Sequence, residues 1–477
     1  MALRRISAPQ LERLLPLSGD AVGPAYRALA TTLRALILDG RLPLGVRLPA
    51  ERELSTALRI SRTTTTAAYD LLRREGFLAS RRGAGTFTTF PPGSGTVEPG
   101  WAAAGGDVID LSIAAPAALE DAVAAAAARA VEQLPRQLRD DGYHVFGLLA
   151  LREAVAAAYR SRGLPTRAEE IMITPGAQGA IALVARAFLS PGDAALVESP
   201  SYPSALDAFR ACGARLIATP VETGAWDTDF LAATFRQTLP RLAYFIPEFH
   251  NPTGQLMPEH VRVELARAAR AGNSLLIVDE SFLGLGLADG LPEPAPVAVH
   301  DPDRIVSVGA LSKSVWGGLR IGWIRASSSV LQRLGTARAS LDMASPILEQ
   351  LVALELIAEL DVHLAARRAS LARSLDALTG ALAEQLPDWR YLEPQGGLSL
   401  WIALDRPSTS LARAAEAEGV RIVPGPRFGP DGQLERFLLF PFALPGDRLR
   451  EAVTRLARAT ESVPVFADAG SELAYVV

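Results

Sequence analysis

The chain has 477 residues, 49% of them hydrophobic and 21% charged, with a net charge of −4. That length and composition exclude a disordered or fibrous chain and leave room for about two to four globular domains. A single cysteine, Cys212, excludes an intrachain disulfide framework, and no uncharged run is long enough to span a bilayer.

Nothing in Met1–Ala30 reads as a signal peptide, so a cytoplasmic location is expected. Charge is unevenly spread. Up to Phe90 the chain carries 14 Arg against 7 acidic residues, so a basic head precedes an acidic body. Such a head is expected to meet an anion, nucleic acid being the leading class.

Tyr26, Leu29, Ala30, Leu33, Leu36 and Ile37 follow the spacing of an amphipathic helix, ended by Gly40 and Pro43. LPAERELSTAL (Leu48–Leu58) opens with Pro49 and acidic residues, as a second helix should. Arg59–Ser61 is a short turn, and Ser61 is a good cap for a third helix carrying Leu71 and Leu72. Two helices joined so closely form a helix-turn-helix. FLASRRGAGTFTTF then predicts a hairpin with a basic tip around Arg81–Gly85. The third helix starts SRTTTT, whose hydroxyls and Arg62 suit phosphates and base edges in a major groove.

These residues carry a resemblance. GRLPLGVRLPAERELSTALRISRTTTTAAYDLLRREGFLASRRGAGTF resembles the winged-helix domain of GntR-type bacterial regulators. The resemblance implies that Arg52, Ser61, Arg62, Thr63, Thr64, Arg82 and Gly83 meet double-stranded operator DNA. The expected domain spans residues 20–90. A Pro- and Gly-rich linker is expected over 91–107, because FPPGSGTVEPGWAAAGGD breaks any period.

From residue 108 to 477 a second domain is expected. Its apolar runs IMIT, AALVE, RLIAT, LAYFI, LLIVD and IVSV alternate with helical segments such as Glu259–Ala271, the pattern of an α/β fold with a largely parallel sheet. Ligand sites in such sheets lie beyond the strand C-termini. Thr174-Pro-Gly-Ala-Gln-Gly179 follows the first run and opens a helix, a turn able to hold a phosphate. Asn251 lies in HNPTG after LAYFI, and Asp279 closes LLIVD. A carboxylate there needs a partner, although it could also cap the next segment. GLGLADG (Gly284–Gly290) is read as a loop, and the five His have no metal-like spacing, so no metal is expected.

Lys313 is the only Lys among the 48 basic residues Lys and Arg. Arg is effectively always protonated and cannot supply a neutral amine, whereas a shielded Lys can lose its proton and condense with an aldehyde. Pyridoxal 5′-phosphate supplies an aldehyde, a phosphate and a ring nitrogen that favours an acidic partner. Lys313, the Gly176 turn and Asp279 are one candidate for each.

In chain order TPGAQGA, ESPSYPSALDAF, HNPTG, VDES, LSK and GLRIG resemble the fold-type I aminotransferases. The resemblance implies that Lys313 holds pyridoxal phosphate covalently and Asp279 partners its ring nitrogen. It also implies that Asn251 bonds the ring oxygen, Tyr202 stacks on the ring, and Gly176, Ala177, Gln178, Ser312 and Arg320 surround the phosphate. Tyr143 resembles the family's Tyr that reaches a neighbouring subunit's phosphate, which implies a homodimer. A GntR-type head on this body resembles the MocR-type regulators.

Three positions depart from the aminotransferase pattern. Phe282 and Ala310 stand where Tyr and Ser or Thr are usual, and Leu439 stands at the Arg that clamps a substrate carboxylate. Losing one hydroxyl contact costs about 0.5–1.5 kcal/mol, so cofactor binding is expected to survive. Losing a charged bidentate clamp costs more and argues against ordinary transamination of an α-amino acid. Arg436 is a substitute only if the backbone shifts, and Arg427 is a further candidate. The expected function is therefore a DNA-binding regulator that senses an amine, an amino acid or a B6 vitamer. A working aminotransferase with a DNA-binding head is the alternative, and a body that serves only as a dimerisation scaffold is a third reading.

Overall fold

A computed structural model describes residues 5–15, 24–38, 40–81, 84–89, 108–221, 225–288, 290–291 and 294–466. The expected linker 91–107 and the wing-tip residues Arg82 and Gly83 lie outside the described residues.

The head begins with helix α1 (Ala8–Leu14), whose cap Ser7 exchanges bonds with Gln10. Helix α2 (Ala25–Leu38) buries Leu29, Leu33, Leu36 and Ile37, the stripe read from the sequence. Helices α3 (Glu51–Ala57) and α4 (Arg62–Arg74) follow, with Ser61 Oγ accepting the Thr64 N–H at 3.0 Å. The turn between them passes through Arg59 at φ 53, the left-handed conformation that lets so short a link reverse the chain. Tyr69 is fully buried and donates its hydroxyl to the Pro49 carbonyl at 3.1 Å, tying α4 to the start of α3. Strands β1 (Leu78–Arg81) and β2 (Gly85–Thr88) pair antiparallel and form the wing.

The body is built on a seven-stranded sheet. Short β3 (Ile109–Asp110) and helices α5 (Glu120–Gln137) and α6 (Leu149–Ser161) precede it; the sheet itself contains β4 (Ile171–Thr174), β5 (Ala194–Ser199), β6 (Arg215–Pro220), β7 (Leu242–Phe245), β8 (Leu275–Asp279), β9 (Ile305–Ala310) and β10 (Gly322–Arg325). Their order is β4-β10-β9-β8-β7-β5-β6, and only β10 runs antiparallel to its neighbours. Alternate residues feed two cores, one per face: Tyr244, Ile277 and Val308 on one, Phe245, Val278 and Ile305 on the other. Strand periodicity and burial on both faces account for the short apolar runs of the sequence.

Beyond this sheet lie β11 (Arg390–Tyr391), β12 (Ser399–Ala403), β13 (Val420–Arg421), β14 (Val423–Pro424) and β15 (Phe437–Pro441). β13 pairs with β3, and the other four form an antiparallel sheet in the order β11-β12-β15-β14. Leu438 and Phe440 of β15 face the main core, while Leu439 packs on the other side with Phe428, Leu434 and Trp401.

Head and body touch. The Leu434 N–H donates to the Leu38 carbonyl at 2.6 Å, and Gln433 Nε2 donates to the Leu42 carbonyl at 3.2 Å. Among the described residues, no helix is long and apolar enough to cross a membrane.

Candidate functional site

Strand register brings Gly176, Asp279 and the Ser312–Lys313 turn to one end of the sheet, beyond the C-termini of its parallel strands. Gly322 lies beside both Thr174 and Ala310, so the turn after β4 and the turn after β9 leave from the same place. Asp279 lies beside Val308 on the next strand pair. Each strand's last residue thus delivers a functional turn, as open parallel sheets generally do.

The first turn opens helix α7 (Gly176–Phe188) through Gly176 at φ +77. A Cβ at Gly176 would meet the Arg320 guanidinium at 3.0 Å, and one at Gly322 would overlap Gly176 C at 2.6 Å and Ala177 N at 2.8 Å. Glycine is required at both, because backbone and guanidinium close on one small cradle at a helix N-terminus. Arg320 donates to the Pro175 carbonyl at 2.7 Å, and Gln178 Nε2 donates to Ser204 O at 2.9 Å, leaving Gln178 Oε1 buried without a partner. Ala177 packs against the core below.

Ser312 and Lys313 lie in a short turn, Ser312–Trp316, wound more loosely than an α-helix. Lys313 Nζ donates to the Ala114 carbonyl at 2.6 Å. Burial pushes its amine down to about 8; the Asp279 charge opposes that shift and the Arg320 charge adds to it. The amine is therefore far easier to deprotonate than an exposed Lys. Arg367 braces this turn by donating to the carbonyls of Ser314, Val315 and Ala117.

Asp279 is 5% exposed. Burial raises its carboxyl above the usual range, while bonds from Ser281 and Tyr244 pull it back. The Ser281 N–H reaches Oδ1 at 2.9 Å and the Tyr244 hydroxyl reaches Oδ2 at 2.7 Å. The Ser281 bond is the local turn considered from the sequence, and Asp279 makes it while also facing the Lys313 charge. Asn251 Oδ1 is buried without a partner, before a cis Asn251–Pro252 bond. Tyr202 caps helix α8 (Pro203–Ala211) and is half-buried against the main core, where burial raises its phenol. Tyr143 is set apart: the residue is 60% exposed and its N–H donates to the Asp141 carboxylate.

Of the DNA candidates, Arg52, Ser61, Arg62 and Thr63 are exposed on the head, at α3 and the start of α4, with Thr64 half-buried beside them. The Ser61 hydroxyl also meets those of Thr63 and Thr64 at 2.7 Å, so it serves the cap.

The replacements for a carboxylate clamp do not form one. Arg427 is paired with Asp207 at 3.2 Å. Arg436 lies in the turn before β15, with its guanidinium 4.2 Å over the Phe466 ring. Leu439 itself is 4% exposed in an apolar cluster.

Sequence reasoning missed Tyr244, Arg367 and the Ala114 carbonyl. Tyr244 carried a weak signal, a hydroxyl in an otherwise apolar strand. The others carried none, because they arrive from distant segments.

Fold and site together define a GntR-type DNA-binding head on a fold-type I aminotransferase-like body. Residues 106–456 match the model for aminotransferase class I and II, and residues 25–88 match that for bacterial regulatory proteins of the gntR family. The chain belongs to the aminotransferase class I and II family, in its MocR-type, regulator-fused form. It is 28% identical over 440 residues to the probable rhizopine catabolism regulatory protein MocR of Rhizobium meliloti, covering 86% of this chain and 88% of that one. It is 32% identical over 313 residues to a 2-aminoadipate transaminase of Thermus thermophilus, covering 64% and 79%. A solved alpha-aminoadipate aminotransferase from Thermus thermophilus, complexed with N-(5′-phosphopyridoxyl)-L-leucine, superposes with a TM-score of 0.67 at 30% identity, covering 74% and 92%.

Proposed function

We propose that this protein is a pyridoxal-phosphate-dependent transcription regulator whose body senses an amine, an amino acid or a B6 vitamer and whose head binds operator DNA. The observation that carries the reading is the convergence of a half-buried, easily deprotonated Lys313 with the Asp279 carboxylate and the Gly176–Gly322 cradle. When bound, the cofactor supplies an aldehyde that exchanges amines and a ring that withdraws electrons.

The residues present fit it. Lys313 would hold the aldehyde carbon, Asp279 the ring nitrogen, and Asn251 the ring oxygen through its amide N–H donors. Tyr202 covers the ring. Gly176, Ala177, Gln178, Ser312 and Arg320 hold the phosphate, and Tyr143 of a second copy in a homodimer completes that shell. On the head, Arg52, Ser61, Arg62, Thr63, Thr64, Arg82 and Gly83 form the DNA-facing set.

The head–body contact supports the regulatory reading. The Ser201 N–H, one residue before Tyr202, donates to the Phe428 carbonyl at 2.9 Å, and the same loop ends at Leu434, which holds the head. Arg210 of α8 also donates to the Pro430 carbonyl at 2.6 Å. A ligand that moves Tyr202 therefore acts on the segment that seats the head, and the shift equals its difference in affinity for the two arrangements. Leu439 in its apolar cluster weighs against the alternative of a working aminotransferase.

The test is a spectral titration of the cofactor-loaded protein with amino acids, amines and B6 vitamers, read beside operator binding. The expected result is one class of compound that changes the visible band and operator affinity over the same concentration range. Steady turnover of an amino donor with a keto acid, without any effect on DNA binding, would overturn the reading.

A further inference from the structure

We propose that Tyr244 is a positioning residue for the cofactor, holding the Asp279 carboxylate ionised and aimed at the ring nitrogen. This inference rests on the reading above, in which Asp279 is that nitrogen's partner.

Tyr244 stands on β7, directly beside Ile277 of β8 in the register. Asp279 is two residues beyond Ile277, so its side chain and that of Tyr244 lie on the same face. The hydroxyl donates to Asp279 Oδ2 at 2.7 Å, and the ring is fully buried. Phe209 of α8 meets that ring edge-on, with centroids 5.7 Å apart, so the hydroxyl has one direction in which to point.

The bond has a physical task. A carboxyl this deeply buried is driven toward its neutral acid, which cannot hold a proton on a ring nitrogen. Two donors oppose that tendency, the Ser281 N–H at Oδ1 and the Tyr244 hydroxyl at Oδ2. The surrounding charges act in both directions. Lys313 and Arg320 are the cations near the site, whereas Glu248 pushes Asp279 toward protonation. Tyr202 lies close enough to feel the Asp279 charge, and Glu198 acts on Tyr244. Tyr244 does not itself ionise: burial and the Asp279 charge push its phenol well above 10.0. It remains a donor across the whole working range of pH.

The arrangement differs from a packing contact in one respect. Tyr244→Phe keeps the ring and the Phe209 contact, and removes only the hydroxyl that donates to Asp279. Without that donor Asp279 would be a weaker anionic partner for a ring nitrogen, and the Lys313 nitrogen would keep its proton to higher pH.

The experiment compares full-length wild type with Tyr244→Phe, both loaded with pyridoxal phosphate, by cofactor affinity and by the pH at which the visible band titrates. The expected result is a dissociation constant about tenfold higher and a titration midpoint raised by about one pH unit, with the folded spectrum retained. Site-specific 3-fluorotyrosine at position 244, a stronger donor of almost the same shape, should lower the midpoint instead. It keeps the test decisive if the Phe variant does not fold. Unchanged midpoints in both variants would overturn the role of Tyr244 and leave the cofactor reading intact. A wild type with no visible band at any cofactor concentration would sink both.

Discussion

The Leu434 N–H donates to the Leu38 carbonyl at 2.6 Å, so the last turn of α2 in the head is closed by a loop of the body. An orphan carbonyl at a helix C-terminus needs such a partner. Gly40 lies just beyond, at φ +77, where a Cβ would meet Leu434 Cδ2 at 3.3 Å and Gln433 Oε1 at 3.4 Å. A branched side chain is disfavoured there both by conformation and by space. Gly40→Val should therefore loosen the head by about 1–3 kcal/mol. Limited proteolysis should cut between head and body faster than in wild type, while the body's cofactor spectrum is unchanged. An unaltered cleavage rate would mean that the seat does not depend on this turn.

The amine of Lys313 sets a pH profile. Its value falls from the ordinary 10.5 to about 8 because burial disfavours the charged form. Only the neutral amine attacks an aldehyde. Cofactor capture by the apoprotein should therefore slow about tenfold per pH unit below 8 and level off above it. The sign for stability follows from the same shift. Between about 8 and 10.5 the unfolded chain binds more protons at this site, so apoprotein stability should climb with pH across that window. Lys313→Ala should abolish both the visible band and this pH dependence. Stopped-flow absorbance and denaturant titration check the two halves separately.

Leu439 is set in an apolar cluster with Phe428, Leu434 and Trp401. Placing a guanidinium there buries a charge in an apolar cluster. Leu439→Arg should destabilise the body by about 3 kcal/mol or more. Denaturant unfolding measures this loss. A stable variant that transaminates α-amino acids would show that the clamp position is open after all.

Arg62 opens α4 and is exposed beside Thr63. Arg62→Ala should cost about 1–3 kcal/mol of operator binding if the side chain reads a base edge. The check is a parallel titration on random DNA of the same length at the same salt. Equal losses on both would reduce the role to a phosphate contact.

Much of the architecture was legible because it is written in local chemistry. The α2 stripe, the Ser61 cap, the hairpin after Gly76 and the six apolar runs each depend on residues within a turn or strand of one another. The solitary Lys313 was legible for a chemical reason, since Arg cannot supply a neutral amine. Only the tertiary structure decided what surrounds these residues. The insertion of β10 between β4 and β9 places Gly322 against Gly176. Lys313 meets Ala114 across 199 residues of chain, and Tyr244 reaches Asp279 across 35. Leu434 meets Leu38 from the far end of the body. Periodicity and capping act over a few residues, so they specify elements. The partners of a buried charge are chosen by how those elements pack.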